Sequence, residues 1–189
     1  MHIRLATPDD APGIRAIYAP MVRETTVSFE TEPPTEAELS DRIEETLPSH
    51  PWLVCEGEDG SILGYAYAGT HNYRDAYQWT VNVSVYIHKD VRGQGLGRRL
   101  YEALFAVLHE QGFISAFAII TVPNEPSVAL HEAFGFERVG VITEAGYKHG
   151  RWNDVEWWKL RLSEPSDTPE PPRSLDQLPA ADLKRALAS

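Results

Sequence analysis

The sequence contains little that could cross-link the chain or anchor it in a membrane. Its 189 residues include one cysteine, so no disulfide can form within the chain. Cys55 lies in the apolar stretch Trp52–Glu56, where we expect a buried, inert thiol. No apolar run approaches the roughly 20 residues that a membrane-spanning helix needs, and the first residues lack the basic and apolar regions of a signal peptide. These absences predict a cytoplasmic protein.

Positive charge is also scarce. Lys and Arg total 17 against 28 Asp and Glu, which gives a formal net charge of −11 at pH 7. Because the phosphate backbone of a nucleic acid needs a basic protein surface, we expect no nucleic-acid partner. The seven histidines show no metal-ligand spacing, and a single cysteine offers no zinc site, so we expect no metal.

The length and the apolar content of 42% predict one globular domain with a short appendage. Residues 1–162 show strand and helix patterns in the order βααβββαβαββ, without an internal repeat. Residues 163–189 begin with a proline-rich stretch that lacks periodicity. Two alternatives stay open for this tail: an exposed segment, or a short helix within Leu175–Leu187 that docks on the domain or on a partner subunit.

The most informative segment runs from Val85 to Arg98, where a strand rich in β-branched residues enters a glycine-rich turn that opens an amphipathic helix. A helix N-terminus has free N–H groups and a partial positive charge, and glycines allow close approach of a phosphate. Arg92 and Arg98 add positive charge. The segment is neither a Walker loop nor a dinucleotide fingerprint, because no Gly-Lys-Ser/Thr follows and no βαβ unit precedes it. The segment therefore predicts a pyrophosphate site.

Two motifs in this order resemble the signatures of the GNAT superfamily of N-acetyltransferases. Arg92–Gly97 is similar to its R/Q-x-x-G-x-G/A turn, and Asn124–Phe136 is similar to its second conserved block. The resemblance implies an α/β (α+β) GNAT acyl-CoA N-acyltransferase fold, with a mixed, mostly antiparallel sheet, flanking helices and splayed central strands. It also implies acetyl-CoA as co-substrate, bound without a metal.

The same resemblance implies where acetyl-CoA binds. The strand around Tyr86 would pair with the pantetheine arm like an added β-strand, and the turn would hold the pyrophosphate. His131 would stand near the thioester sulfur and would protonate or hydrogen-bond the departing thiolate; the alternative is a core-facing helix residue. The implied cofactor-binding residues are Val85, Tyr86, Ile87, Arg92, Gly93, Gln94, Gly95, Leu96, Gly97, Arg98, Asn124 and Ser127.

Longer stretches resemble the phosphinothricin N-acetyltransferases, whose members also act on methionine sulfoximine and on the arsenic-containing analogue arsinothricin. The similarity spans roughly Ile3 to Leu162 and includes Thr26–Pro33, Asn72–Thr80 and Ala145–Asp154. It implies a small glutamate-like acceptor, a role in detoxification and a homodimer. Arg74 could pair with the carboxylate or with the second polar head of such an acceptor, or it could be a solvated loop residue. The implied acceptor-site residues are Phe29, Glu30, Arg74, Tyr77, His149 and Arg151.

One position departs from that family. Asn82 aligns with a strand glutamate that is taken to be the general base, and an amide cannot accept a proton at neutral pH. Three alternatives stay open: Asn82 orients a water that relays the proton to His149 or Glu30, the amine arrives deprotonated, or transfer is slow and the native role differs. We expect Asn82 to lie at the acceptor site and Asn82→Glu to raise the rate near neutral pH.

The predicted reaction is direct attack of the amine on the thioester in a ternary complex. A backbone N–H near Val85 or Tyr86 would stabilise the oxyanion. Two rival interpretations remain: a GNAT enzyme that acts on another amine or on a peptide N-terminus, and a module that binds acetyl-CoA and catalyses little.

Overall fold

The computed structural model describes residues 1–188 as a central sheet with helices on both faces. The strands are β1 (His2–Leu5), β2 (Trp52–Glu56), β3 (Ile62–Thr70), β4 (Thr80–Ile87), β5 (Ser115–Val122), β6 (Glu137–Lys148) and β7 (Arg151–Arg161). The helices are α1 (Ala11–Glu24), α2 (Glu36–Thr46), α3 (Leu96–Gln111), α4 (Glu125–Ala133) and α5 (Ala180–Leu187). The predicted element order is confirmed for the domain.

The sheet has seven strands in the order β1-β2-β3-β4-β5-β7-β6. All neighbouring strands are antiparallel except β4 and β5, which are parallel. Within residues 1–188, no helix combines the length and the apolar character that crossing a membrane requires.

Local sequence signals account for the ends of the helices. The Thr35 hydroxyl accepts a hydrogen bond from the N–H of Glu38 at 3.2 Å and caps α2. Helix α3 lies between two glycines in the left-handed conformation, Gly95 at φ 78° and Gly112 at φ 92°. Its apolar face is fully buried in the core through Leu100, Leu104 and Leu108. These residues fix α3 against the middle of the sheet.

Strand alternation divides the core into two halves. Val81 and Val83 of β4 point towards α3 and belong to the larger cluster, while Tyr86 packs with Tyr65 in the cluster formed by α1 and α2. Since side chains along a strand alternate between faces, Asn82 lies on the same face as Tyr86. The helices α1 and α2 therefore cover the face of β4 that carries Asn82.

The central strands β4 and β5 separate part of the way along their length. They pair only from Thr80 with Ser115 to Asn82 with Phe117. Beyond Asn82, β4 continues to Ile87 and β5 continues to Val122 without pairing to each other. This is the splayed sheet centre that the family resemblance implied, and it opens a cleft at Asn82.

The hairpin of β6 and β7 is longer than the sequence indicated. The patterns predicted strands around Arg138–Thr143 and Val155–Leu162, whereas the paired strands extend to Lys148 and Arg151. His149 and Gly150 form the connection, with φ of 52° and 75°. Two positive φ values match the twist of a tight hairpin turn. The polar sequence of this stretch did not indicate this turn.

The C-terminal segment docks on the domain. Leu175, Leu178 and Ala186 are buried and cluster with Val107 of α3. The Trp79 indole N–H also donates to the carbonyl of Glu170 at 2.8 Å. Of the two alternatives that the sequence left open, the structure shows the second: the tail forms the helix α5, which packs on the domain.

We expect Leu178→Ala to lower the free energy of unfolding by about 2 kcal/mol, because it removes a buried side chain that ties the tail to α3. Urea unfolding followed by circular dichroism measures the effect. Lys184→Ala, at an exposed position of α5, is the matched control and should stay within about 0.5 kcal/mol of the wild type. Equal stability of both variants would mean that the tail contributes nothing.

Candidate active site

The cleft between β4 and β5 connects the two faces of the sheet. Ser84 and Tyr86 reach it from the face of α1 and α2, and Val27 borders it from the loop after α1. Tyr101 and His131 border it from α3 and α4 on the other side. The remaining residues that line it are Val83, Val85, Ala118, Ile119, Ile120, Thr121, Asn124 and Ser127. Two molecules could therefore meet in this cleft from opposite faces.

The start of α3 has the properties of an anion site. Gly93 at φ 75° and Gly95 at φ 78° have open space where a side chain would project. Gly95 occupies the N-cap position of α3 and provides no side chain to cap the helix, so the N–H groups of the first turn stay available for an anion. Arg92 donates to the carbonyl of Ile87 at 3.2 Å, and Arg98 pairs with Glu102 at 2.9 Å. The turn fits the pyrophosphate of a CoA thioester.

The free edge of β4 fits the arm of the same cofactor. Val85, Tyr86 and Ile87 pair with β3 on one side and have no strand on the other. The backbone groups on that open side can therefore receive an extended, amide-containing chain. Val85 and Tyr86 line the cleft, and Ile87 leads directly towards the glycine turn.

Asn124 and Ser127 line the cleft from the first turn of α4. The Asn124 side chain accepts a hydrogen bond from the N–H of Ser127 at 3.4 Å and so caps the helix. Both side chains thus have a structural role in addition to their position beside the predicted pantetheine path.

His131 borders the cleft but is 3% exposed. Its Nδ1 lies 2.7 Å from the carbonyl of Ser127, and its Nε2 lies 3.1 Å from the Tyr101 hydroxyl. The carbonyl can only accept, so Nδ1 carries the proton and Nε2 of the neutral ring accepts from Tyr101. Burial lowers the pKa of His131, although the hydrogen bond to Ser127 opposes this.

These contacts do not fit the predicted role of His131 as a proton donor to the departing thiolate. In the neutral ring, the single N–H points to a backbone carbonyl, and burial disfavours the imidazolium that would have a second proton. The geometry fits the alternative, a core-facing residue that links Tyr101 to α4. Tyr101 was not singled out from the sequence, because its contact with His131 joins residues 30 positions apart.

Phe29, Glu30 and His149 lie around the loop between α1 and α2, close to the cleft. Glu30 pairs with Arg42 at 2.8 Å, and His149 Nε2 lies 3.2 Å from the carbonyl of Thr25. The ring of Phe29 covers Gly146 of β6 so closely that a side chain there would collide with it. The hairpin of β6 and β7 therefore holds this loop beside the cleft.

Lys148 strengthens this attachment, and sequence analysis did not identify it. Its side chain is 6% exposed, and Nζ donates to the carbonyl of Ser28 at 2.6 Å. Burial lowers the pKa of Lys148, while the charge of Glu30 opposes the shift. A buried cation thus contacts the backbone immediately before Phe29.

We expect Gly146→Val to raise the KM for the acceptor about tenfold without changing acetyl-CoA affinity, because the new side chain displaces Phe29 and its loop. Gly140→Val on the same strand, where nothing lies within 4 Å of the added carbon, is the control. Steady-state kinetics and calorimetry with acetyl-CoA separate the two effects. An unchanged KM in Gly146→Val would show that the loop does not shape the acceptor pocket.

Arg74, Tyr77 and Arg151 lie apart from that loop. Arg74 and Tyr77 border a second cavity of about 300 Å³, together with Arg173 of the C-terminal segment, and this cavity shares no lining residue with the cleft. Arg151 is exposed at the start of β7. The structure therefore brings Phe29, Glu30 and His149 together and leaves Arg74, Tyr77 and Arg151 outside that group.

Asn82 lies where the two strands separate, and it has an unexpected partner. Its Oδ1 is 2.9 Å from Nδ1 of His71, a residue that the sequence did not indicate as functional. The register that pairs Gly69 of β3 with Asn82 brings His71 to this point. No residue spacing could have revealed a contact that depends on that register.

Comparisons with known proteins agree with this geometry. The family model described as an acetyltransferase (GNAT) domain matches residues 3–157. A phosphinothricin N-acetyltransferase of Streptomyces viridochromogenes is 42% identical over 178 residues, covering 94% of this chain and 96% of that protein. An L-methionine sulfoximine/L-methionine sulfone acetyltransferase of Pseudomonas aeruginosa is 35% identical over 171 residues, covering 88% and 98%.

A solved structure has the same fold. It is a GNAT superfamily phosphinothricin acetyltransferase from Sinorhizobium meliloti in complex with acetyl-CoA, with a TM-score of 0.83 and 32% identity, covering 93% of this chain and 96% of that one. The predicted superfamily and fold class are thereby confirmed. The chain belongs to the GNAT acetyltransferase family and is an acyl-CoA-dependent N-acetyltransferase.

Proposed function

We propose that the enzyme transfers the acetyl group of acetyl-CoA to the α-amine of phosphinothricin, methionine sulfoximine or a related glutamate analogue. The observation that supports this most strongly is the 42% identity across 94% of the chain to an enzyme named for phosphinothricin. Such a reaction would inactivate a toxic amino acid, so the proposed role is detoxification in the cytoplasm.

Acetyl-CoA would bind on the side of α3 and α4. The N–H groups of the turn Gly93–Arg98 would hold its pyrophosphate, the free edge of β4 would pair with its arm, and Asn124 and Ser127 would border the path. The acceptor would enter from the face of α1 and α2, beside Phe29 and Ser84. The cleft that crosses the sheet supports this arrangement, since it allows both reactants to reach Val85 and Tyr86.

Direct transfer in a ternary complex fits the residues present. The single cysteine, Cys55, is completely buried, and burial raises the pKa of its thiol. It therefore lacks the access and the thiolate character of a nucleophile. A backbone N–H on the open edge of β4, at Val85 or Tyr86, would stabilise the oxyanion. Initial-rate lines that intersect would support direct transfer, and parallel lines would indicate a ping-pong reaction.

A homodimer is part of the proposal. The hairpin of β6 and β7 exposes a row of large apolar side chains: Val139, Val141, Ile142, Tyr147 and Trp152. Several exposed large apolar side chains on one hairpin are typical of a protein interface. Light scattering should give twice the chain mass, and Val141→Glu should shift the protein towards the monomer.

Release of free CoA tests the acceptor class. We expect rapid release from acetyl-CoA with phosphinothricin and with methionine sulfoximine, and background release with glutamate or buffer alone. A peptide with a free N-terminus is the comparison for the rival acceptor class. Release only with the peptide would contradict the proposal, and acetyl-CoA binding without turnover on any amine would support a sensing module.

A further inference from the structure

The contact between His71 and Asn82 determines which ring nitrogen of a neutral histidine beside the cleft carries the proton. Asn82 Nδ2 donates to the carbonyl of Thr70 at 3.4 Å, which directs its Oδ1 to His71 at 2.9 Å. Because Oδ1 can only accept, Nδ1 of the neutral ring must carry the proton. His71 Nε2 is then unprotonated, and no residue within 1–188 hydrogen-bonds to it.

The position of this pair suits chemistry on the acceptor amine. Asn82 and Phe117 form the last pair before β4 and β5 diverge, and the His71 ring stacks on Phe117 with 4.7 Å between centroids. The next residues on the same face, Ser84 and Ile119, line the cleft. One step of strand alternation is about 6–7 Å, so the pair lies directly beside the acceptor side of the cleft.

Two of the other candidate bases, Glu30 and His131, are engaged by partners, and the third, His149, differs from His71 in its position. Glu30 is paired with Arg42 at 2.8 Å. His149 Nε2 faces the carbonyl of Thr25 at 3.2 Å, and both ring nitrogens of His131 are hydrogen-bonded. The same rule leaves Nδ1 of His149 unprotonated as well, so position distinguishes the two histidines. His149 is hydrogen-bonded to the loop after α1, whereas His71 contacts Asn82 of β4 and Phe117 of β5 where these strands separate.

We propose that His71 is the general base of this enzyme and that Asn82 is the positioning residue that holds its tautomer; this rests on the proposed function. The acceptor ammonium gives one proton to His71 Nε2, directly or through one water, and His71 passes it to solvent. The amine lone pair then forms the C–N bond to the acetyl carbon, the C–S bond breaks, and the second amine proton ends on the sulfur of CoA. One proton is released for each acetyl group transferred.

The titratable neighbours of His71 come from several elements. The phenol of Tyr77 lies in the turn before β4, with ring centroids 5.7 Å apart. The Lys159 ammonium of β7 lies 5.9 Å from the centre of the Phe117 ring on which His71 stacks. Trp157 of β7 completes the surroundings with an edge-on ring at 6.0 Å. No carboxylate contacts His71 within the described residues, so the amide of Asn82 is its fixed partner.

Kinetics of His71→Ala provide the first test. We expect kcat/KM to fall about 100-fold near neutral pH, the usual contribution of a general base. The rising limb of the pH profile should lie at higher pH in the variant than in the wild type, because the variant depends on amine that is already deprotonated in solution. Exposed His109 on α3 provides the control, and His109→Ala should match the wild type. A variant with the wild-type profile and less than a threefold loss would overturn the proposal.

Chemical rescue separates a base from a packing residue. Added imidazole should restore much of the activity of His71→Ala, while pyrazole, which has nearly the same shape but is a far weaker base, should not. Equal rescue by both would show that the ring merely fills space against Phe117 and would overturn the proposal.

The tautomer supplies a readout that needs no acceptor. Nitrogen-15 NMR of the free enzyme should show His71 protonated on Nδ1, and Asn82→Ala should give a mixture of tautomers while calorimetric acetyl-CoA affinity stays unchanged. A proton on Nε2 in the wild type would overturn the proposal. If the wild type acetylates neither analogue, the acceptor class is wrong, and the role of His71 is then decided by this NMR result and by the pH profile with the amine that is turned over.

Discussion

Gly95→Val should weaken acetyl-CoA binding about 30-fold or more, a loss of about 2 kcal/mol. Gly95 has φ of 78° at the N-cap of α3, a conformation that costs a β-branched residue about 1–3 kcal/mol. The backbone relieves that strain by rotating, and the rotation turns the N–H groups of the first turn away from the pyrophosphate. Isothermal titration calorimetry with acetyl-CoA measures the effect.

Gly60→Val separates lost binding from lost stability. Gly60 has nearly the same φ, 82°, with open space around it, but it lies in the turn between β2 and β3, away from the glycine turn. Both variants should unfold at lower urea concentration, and only Gly95→Val should bind acetyl-CoA poorly. Equal affinity in the two variants would mean that the backbone of the turn does not hold the pyrophosphate.

The local backbone geometry of the proposed cofactor side could be predicted from the sequence because its signals are local. Glycines at the start of a helix indicate a turn with positive φ, and Gly93 and Gly95 have the positive φ values that such a turn needs. Asn124 caps α4 three residues before Ser127, another contact that spacing reveals. The element order also follows from periodicity, and the predicted splaying of the sheet follows from the family resemblance.

The acceptor side could not be predicted to the same extent because its contacts are long-range. Lys148 reaches the carbonyl of Ser28 across 120 positions, and the hairpin of β6 and β7 was predicted too short to place it. Arg74 was grouped with Phe29 by resemblance, whereas the loop before β4 places Arg74 in a different cavity. Such placements depend on register and loop conformation, which residue types alone do not determine.

Asn82 shows how a local departure from a family can be balanced by a distant residue. The sequence shows an amide where a carboxylate was expected, which favours weak catalysis or a different base. The register of β3 and β4 places His71 beside that amide. In the proposed mechanism, its Nε2 is the group that accepts the proton. Under this interpretation, Asn82→Glu would place a carboxylate beside His71, so its effect on rate depends on both residues together.

His131→Gln should lower the free energy of unfolding by about 1–3 kcal/mol at neutral pH, because it disturbs buried hydrogen bonds to Ser127 and Tyr101. It should also reduce the acid sensitivity of the fold. The unfolded chain binds a proton at the ordinary imidazole pKa of about 6.5, whereas burial lowers the pKa of folded His131. Between those two values the unfolded state binds more protons, so stability falls as pH falls.

Asp10 controls the stability of the fold at lower pH. Burial opposes ionisation of Asp10, but hydrogen bonds from Arg4 and Thr7 outweigh it and lower the pKa of that carboxyl. Its stabilisation is therefore lost only as pH falls below about 4, the ordinary range for aspartate. Urea unfolding at a series of pH values from about 7 down to about 4 covers the histidine window without entering that of Asp10, and so isolates the histidine contribution.

His50→Gln is the matched control for His131→Gln. Burial also lowers the pKa of His50, whose ring stacks on Phe113 with 5.6 Å between centroids, away from the cleft. Both variants should flatten the decline in stability below about pH 6.5. Both should also retain kcat within about tenfold if, as in the proposed step, the sulfur receives its proton from the amine and not from His131. A loss of kcat of about 100-fold in His131→Gln alone, with stability intact, would instead restore His131 as the acid that protonates the departing thiolate.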